Sequence, residues 1–357
     1  MKKYSLLIML FLGLVFLLAG CGSSGAPSGS NGVTLPYWPG NDPATPVDLY
    51  VAGTYKDGAD TYACYWKYSS GSTTRYTLEL DARATAIYVS GGKVYTAGYY
   101  NLTTPHACYW VDTVRHDLEN TANSKAMDIK VAGTKIYILG WFMNSTIRQT
   151  RLWSEPIGGG ISGASNFGTG DDYFYLAATG TGVDVYTAGS VGTYGLRYAY
   201  YRKNLENIQS CSHGTNDWLK PTGLYVTDTG AVYVAGCDIE SDPQEYYWVN
   251  GACTVLNGHG QTKSIAANDT DVYTLGGFDT EERGWIAVLW KNQKEYALWG
   301  NNHSCGASAI QVIGSDTYIA GYIYNNGLYN ACFWINGARY DLADGDDTCA
   351  IFAQPTN

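Results

Sequence analysis

Val94-Tyr95-Thr96-Ala97-Gly98 is one copy of a pattern that runs apolar, Tyr, β-branched, small or Leu, Gly. The same order appears as Leu49-Tyr50-Val51-Ala52-Gly53, Ile136-Tyr137-Ile138-Leu139-Gly140 and Val185-Tyr186-Thr187-Ala188-Gly189, and again over 232–236, 272–276 and 317–321. The central tyrosines stand at 50, 95, 137, 186, 233, 273 and 318, so the spacing stays between 40 and 49 residues. Seven copies at so even a spacing mark a repeat architecture. A second pattern is locked to the first. An aromatic residue follows each Tyr by 15 to 17 positions, as Trp66, Trp110, Trp153, Tyr201, Trp248, Trp290 and Trp334. A weaker segment ends in Leu78, Leu118, Leu256, Leu298 or Leu342, and another precedes the Tyr motif, as in Ala86-Ile87-Tyr88-Val89. Each unit thus holds four short segments rich in Val, Ile, Tyr and Trp, parted by Gly, Asn and Asp, which is the signature of strands and turns.

Four strands in each unit, seven times over, predict an all-β, seven-bladed β-propeller with four-stranded blades. We name the strands of a blade a to d, with the Tyr-x-x-Gly motif in b and the repeated Trp in c. The folded chain starts inside a strand b at Leu49 and ends with Thr348-Cys349-Ala350-Ile351-Phe352, which reads as a strand a. The C-terminal strand is therefore expected to join the first blade and close the ring, leaving no open edge. A parallel solenoid would need no such complementary ends. In the third repeat Gly158-Gly159-Gly160-Ile161-Ser162-Gly163 replaces the d segment, so a short or missing outer strand is expected there. The Tyr-x-x-Gly element resembles the seven-bladed β-propeller repeats of bacterial secreted and surface proteins, over residues 47–353. That resemblance implies the fold and leaves the ligand open. WD40, kelch and Asp-box signatures are absent from the sequence.

Composition agrees. Of 357 residues only 15% are charged, against roughly 25% in an average globular protein, while 43 are Gly and 32 are Tyr. A helical protein would need more Glu, Lys and Arg on its exposed faces. The net charge of −10 argues against nucleic acid as a partner, because a phosphate binder needs a basic footprint.

The N-terminus reads as an address. Lys2 and Lys3 precede an apolar run over 6–18 that ends in Leu18-Ala19-Gly20-Cys21. The run is short for a membrane span, and the segment resembles a bacterial lipoprotein signal. The resemblance implies removal of residues 1–20, lipidation of Cys21, and a membrane-anchored, exported protein. Gly22 and Ser23 follow Cys21 with no Asp, which by the same resemblance favours the outer membrane or cell surface. Loss of two lysines leaves 20 Lys+Arg against 32 Asp+Glu, or −12. Residues 21–46, rich in Gly, Ser and Pro, read as the lipidated Cys and a flexible tether. Tyr37 and Trp38 interrupt it and are expected to pack on the body. Residues 47–357 form the propeller, expected to be a monomer.

Alternating strands put the a–b and c–d turns on one face and the b–c and d–a loops on the other. The first set is tight, with Asn250-Gly251 and Asn336-Gly337 as two-residue hairpins. The second set is longer and varies between repeats, which is where a rigid scaffold carries function. Trp218, Trp285 and Trp299 fall outside the repeated Trp position, and Asn302 and His303 lie beside Trp299. Aromatic surface next to amides and carboxylates suits sugar stacking or a protein hot spot. These five residues are the candidate ligand-binding set, and the expected role is non-catalytic binding of a glycan or protein partner. The alternatives are a glycan-active hydrolase or lyase using loop carboxylates, which rests on fold analogy, and a scaffold of an envelope assembly.

No nucleophile, phosphate-loop or zinc-protease motif occurs, and the five His are dispersed. No catalytic residue, cofactor or metal is assigned. Asp344-Gly345-Asp346-Asp347 lacks the ligand spacing of a calcium loop and reads as a solvated turn. Eight Cys remain besides Cys21, an even set that an exported protein can oxidise. Cys64, Cys108 and Cys332 share one strand-c position, where neighbouring blades stand about 10 Å apart, beyond the roughly 7 Å reach of a disulfide. Cys305 and Cys349, at the start of strand a in adjacent blades, are the candidate disulfide.

Overall fold

The computed structural model of the chain describes residues 35–39, 43, 46–118, 123–159, 163–169, 172–179, 184–193, 196–206, 208–211, 219–238, 244–257, 260–280, 284–298 and 304–356. Among them are 28 strands, arranged as seven antiparallel sheets of four. These are the blades of a seven-bladed β-propeller. Blade 1 combines Gly345–Pro355 as strand a with Val47–Asp57, Asp60–Ser69 and Ser72–Leu80 as b, c and d. Tyr50 pairs with Phe352 and Val51 with Ile351, so the last strand of the chain closes the ring as the sequence requires. The other inner strands are Ala82–Ser90, Ser124–Ala132, Asp172–Ala178, Leu219–Val226, Gln261–Ala267 and Ser304–Ile313. Each touches the next around the circle, which leaves a central channel between them.

The third blade departs from expectation. It has a full outer strand, Gly163–Thr169, paired with Ile147–Pro156. An outer strand is held by its backbone ladder, which Gly163, Ala164 and Ser165 supply as well as Leu would.

The repeated residues hold neighbouring blades together. Trp66, Trp110, Trp153, Trp248, Trp290 and Trp334 are all at most 1% exposed. Trp66 sits in one cluster with Tyr318 and Phe333 of blade 7, and Trp110 in another with Tyr50 and Tyr65 of blade 1. The repeated Gly has a steric reason. A Cβ on Gly98 would lie 2.0 Å from the Arg83 carbonyl oxygen and 2.9 Å from the Trp110 ring. The carbonyl comes so close because the inner strand bulges by one residue opposite this Gly, and it does so in every blade. The bulged residues are Cys349, Thr85, Met127, Phe174, Thr222, Lys263 and Ser308 in blades 1 to 7.

The a–b/c–d face is stapled. Asn250 and Gly251 have φ of 50° and 87°, and Asn336 and Gly337 have 49° and 91°, as type I′ hairpins need. In five blades the side chain that opens the c–d turn also accepts a hydrogen bond from the first or second backbone N–H of strand b. The pairs are Val94–Asp112, Val185–Asn204, Val232–Asn250, Val272–Asn292 and Thr317–Asn336, at 2.8–3.1 Å. Leu35, Tyr37 and Trp38 pack along blade 6, Leu35 toward blade 5 and Trp38 toward blade 7. Leu35 is buried in a cluster with Leu256 and Trp290, and Tyr37 bridges Ala297. The Trp38 indole N–H donates to Thr317 Oγ1 at 3.2 Å, and its ring meets Tyr273 and Tyr296 edge-on.

Candidate functional site

Two connected spaces run along the ring axis. The inner one, about 290 Å³, lies among the central residues of the inner strands, such as Ile87, Leu224 and Ile310. The outer one, about 900 Å³, is bounded where strands a begin and strands b end, so it opens on the b–c/d–a face. That volume falls within the range of small-ligand sites. The bulged residues Thr85, Met127, Lys263, Ser308 and Cys349 line both spaces and form the floor of the outer one. The bulge therefore does two things. It forces Gly into strand b, and in five blades it places a residue of the inner strand against the axial spaces.

Two residues before each bulge lies a second ring of positions. Arg83, Lys125, Lys220, Gln261, Gly306 and Asp347 occupy it, and all six line the mouth. Tyr99, Trp141, Trp285 and Tyr322 add aromatic surface above them. With Arg148 and Lys263, the described lining holds five cations and one carboxylate, so 5 − 1 gives +4 in a chain whose net charge is −10.

The charges are ordered by their surroundings. Arg83 pairs with Asp347 across the junction of blades 1 and 2, and its Nη2 lies 3.6 Å from Cys349 Sγ. Burial still holds the Asp347 carboxyl above the ordinary carboxylate range, although Arg83 opposes it. Lys125 Nζ stands 4.2 Å from the Tyr99 ring centroid and 5.8 Å from that of Trp141. The Arg148 guanidinium carbon is 5.8 Å from the centre of the Trp141 ring as well, so two cations stand close to this indole. Burial pushes the Lys263 amine down, and nearby Lys220 pushes it further. Tyr322 lies flat where blade 7 lacks a side chain: a Cβ on Gly306 would be 2.5 Å from the Tyr322 ring.

Of the residues expected to bind ligand, Trp285 lines this mouth, with its backbone carbonyl accepting from Ser304 Oγ at 3.0 Å. Trp218, Trp299, Asn302 and His303 lie outside the described residues, as does Cys21. Cys305 and Cys349 are free thiols in this structure. The register explains why they do not face each other as equivalents. Cys349 is the bulged residue of blade 1 and corresponds to Ser308, whereas Cys305 lies three residues earlier on its strand and pairs with Ile323. Cys305 Sγ instead meets the Ala287 N–H at 3.4 Å. Cys64, Cys108 and Cys332 each lie opposite a repeated Gly and are buried. The acidic turn disperses its charges: Asp344 pairs with Arg75, Asp346 with Lys56 and Asp347 with Arg83.

Sequence reading missed the basic ring because it looked for function in loops, whereas the mouth is built from strand ends. A signal was present. Arg83, Lys125, Lys220 and Gln261 each stand 15 or 16 positions before a repeated Gly.

No protein-family model and no curated protein matches the chain in sequence. Among solved structures it is similar to the β-propeller domain of the Trilobed protease from Pyrococcus furiosus, at 13% identity and a TM-score of 0.52, covering 88% of this chain and 99% of that one. It is similar to the polysaccharide lyase Uly1 at 9% identity and a TM-score of 0.51, covering 90% and 92% of the two chains. Pyrococcus horikoshii acylaminoacyl peptidase gives 10% identity and a TM-score of 0.53, over 84% of this chain and 53% of the peptidase, so the chain spans about half of that enzyme. At such identities the likeness is one of fold, and the fold these comparisons support is the β-propeller.

Proposed function

We propose that this is an exported lipoprotein, anchored through Cys21 at the outer membrane or cell surface, whose propeller binds a glycan or protein partner at the b–c/d–a mouth. The observation that carries the reading is the outer space of about 900 Å³, walled by Tyr99, Trp141, Trp285 and Tyr322 and by charged strand ends. Concave sites with a few placed polar groups among aromatics are the usual form of a binding pocket. A hydrolase with two acting carboxylates would need a close pair, and the single carboxylate of the described lining, Asp347, is bound to Arg83. The arrangement favours binding over that chemistry. Glycan-array and pull-down binding of the detergent-solubilised full chain tests the site. Trp141→Ala with Trp285→Ala should abolish saturable binding while the melting transition persists. A partner bound equally well by this folded variant would move the site elsewhere. Cys21→Ala tests the anchor, and should shift the protein from the membrane fraction to the soluble one.

A further inference from the structure

We infer that the partner is an acidic glycan, a chain of sugar rings carrying carboxylates, held with its charges over the Lys125–Arg148–Lys220 side of the mouth and its ring faces on Trp141 and Tyr322. This rests on the reading of the mouth as the binding site.

Three observations converge. The first is charge. The described lining carries +4 (five cations, one carboxylate) at the axis of a chain whose net charge is −10. A concave wall with an excess of one sign focuses its field and concentrates counter-ions, here anions. In the floor of the mouth, burial depresses the Lys263 amine and Lys220 adds to that shift. The second is the coupling of cations to flat rings. Lys125 and Arg148 both stand 5.8 Å from the centre of the Trp141 ring, so a group that stacks on this indole has two cations within reach. Amphipathic sugar rings offer an apolar C–H face for an aromatic ring and polar edges for charge and hydrogen bonds, and a uronate places its carboxylate on such an edge. The third is an aromatic path out of the mouth. Tyr322 lies flat against Gly306, Tyr329 follows with ring centroids 5.1 Å apart, and Tyr324 follows Tyr329 at 4.9 Å. Tyr329 is 52% exposed and Tyr324 40%, so the path continues onto open surface. An extended chain fits this line better than a single small anion.

Asp347 shows how the wall receives a carboxylate, since its own lies on Arg83. A nucleic acid fits less well, since its continuous line of phosphates needs a long basic footprint and the cations here are confined to the mouth, whereas a short glycan can set its few carboxylates there.

The test uses three probes with the full chain in detergent: oligogalacturonate, its methyl ester, and oligoglutamate. Isothermal titration should show oligogalacturonate binding at least about tenfold more tightly than the ester, with the advantage shrinking as salt rises. Lys125→Gln with Arg148→Gln should reduce the acid to the affinity of the ester, with an unchanged circular dichroism spectrum. Trp141→Ala should weaken both sugars. Equal binding of acid and ester would overturn the acidic-glycan inference and leave the mouth standing as a glycan site. Binding of oligoglutamate without either sugar would overturn it in favour of an acidic protein segment. If none of the three binds, the inference fails. The mouth itself fails only if a partner found by array or pull-down is indifferent to Trp141→Ala and Trp285→Ala.

Discussion

The two ends of the propeller are made from the same repeat and are used differently. At the a–b/c–d end, five blades repeat one device, an Asn or Asp that opens the c–d turn and accepts from an N–H at the start of strand b. At the b–c/d–a end, one position, two residues before the bulge, is Asp347, Arg83, Lys125, Asp172, Lys220, Gln261 and Gly306 in blades 1 to 7. The first end is nearly uniform because geometry narrows the choice: Asn, Asp and Gly tolerate positive φ best, and of these Asn and Asp can also satisfy a backbone donor, although Ser70 takes the position in blade 1 at φ 50°. At the second end all of these residues but Asp172, whose side chain is not described, line an open space, where backbone geometry imposes no side chain. The repeat constrains what the scaffold needs and frees what a ligand would meet.

The sharpest way to break this division is to remove a side chain that belongs to neither end. Trp110 is fully buried between blades 1 and 2 and lies over Gly98. Trp110→Ala should destabilise the fold by about 3–5 kcal/mol, the cost of deleting a large buried aromatic. Urea unfolding followed by fluorescence or circular dichroism measures this, and an unchanged midpoint would contradict the packing.

The next largest effect depends on pH. Glu245 begins strand c of blade 5 at the b–c end and is fully buried. Burial pushes its carboxyl up to about 8, from 4.5, with nearby Glu295 and Asp238 adding to the rise. Between these values the folded state holds a proton that the unfolded state has lost. The stability this group contributes is therefore full below about 4.5 and is lost as pH rises through about 8. Glu155, at the opposite end of strand c in blade 3, is pushed by burial to about 7 and acts in the same sense. Glu245→Gln should flatten part of the decline in unfolding midpoint between pH 5 and pH 8, leaving the part owed to Glu155. A decline as steep in the variant as in the parent would show that Glu245 is not protonated in the fold.

Much of this molecule was legible in its sequence, and the boundary has physical reasons. The blade count, the four strands and the closure by residues 345–355 follow from Tyr50, Trp66 and their repeats, because packing between identical blades imposes identical residues. The outer strand of blade 3 was illegible because Gly163–Thr169 is held by backbone rather than by a side-chain pattern. The bulge was hidden as well. One extra residue in strand a shifts which side chains face the channel, and Lys263 reads as an ordinary strand residue until register is known. At the mouth, Trp285 stood out as a Trp off the repeat. Arg83, Lys125 and Lys220 did not, since isolated cations in strands commonly mark solvated edges.

A smaller effect tests the uniform end. Asn336 accepts from Thr317 N–H at 2.8 Å and donates to Asp316 at 2.9 Å, and it is buried. Asn336→Gly keeps the positive φ freely available and deletes these bonds, together with the 3.4 Å bond that Asn336 Oδ1 accepts from Thr317 Oγ1. It should lower stability by about 1–2 kcal/mol, within the range for lost buried hydrogen bonds, and leave binding at the far mouth unchanged. A loss of binding equal to that of Trp141→Ala would mean that the ends are coupled.

The smallest expected change in stability is the one that separates the two ends most clearly. Lys125→Gln, in the half-buried ring of the mouth, should move the unfolding midpoint by no more than about 0.5 kcal/mol, as for surface substitutions away from core, caps and networks. Its cation contacts with Tyr99 and Trp141 are replaced by amide contacts of similar length, so the wall keeps its shape. Binding of an anionic partner should nonetheless fall, and the dependence of affinity on salt should become shallower, since one screened charge has gone. Asn336→Gly predicts the reverse pattern, with stability lost and affinity kept. The two variants form a crossed test in which each end is read by the property that the other leaves untouched. If Lys125→Gln costs as much stability as Asn336→Gly, the cations of the mouth are structural members of the ring, and the freedom assigned to that position is not there.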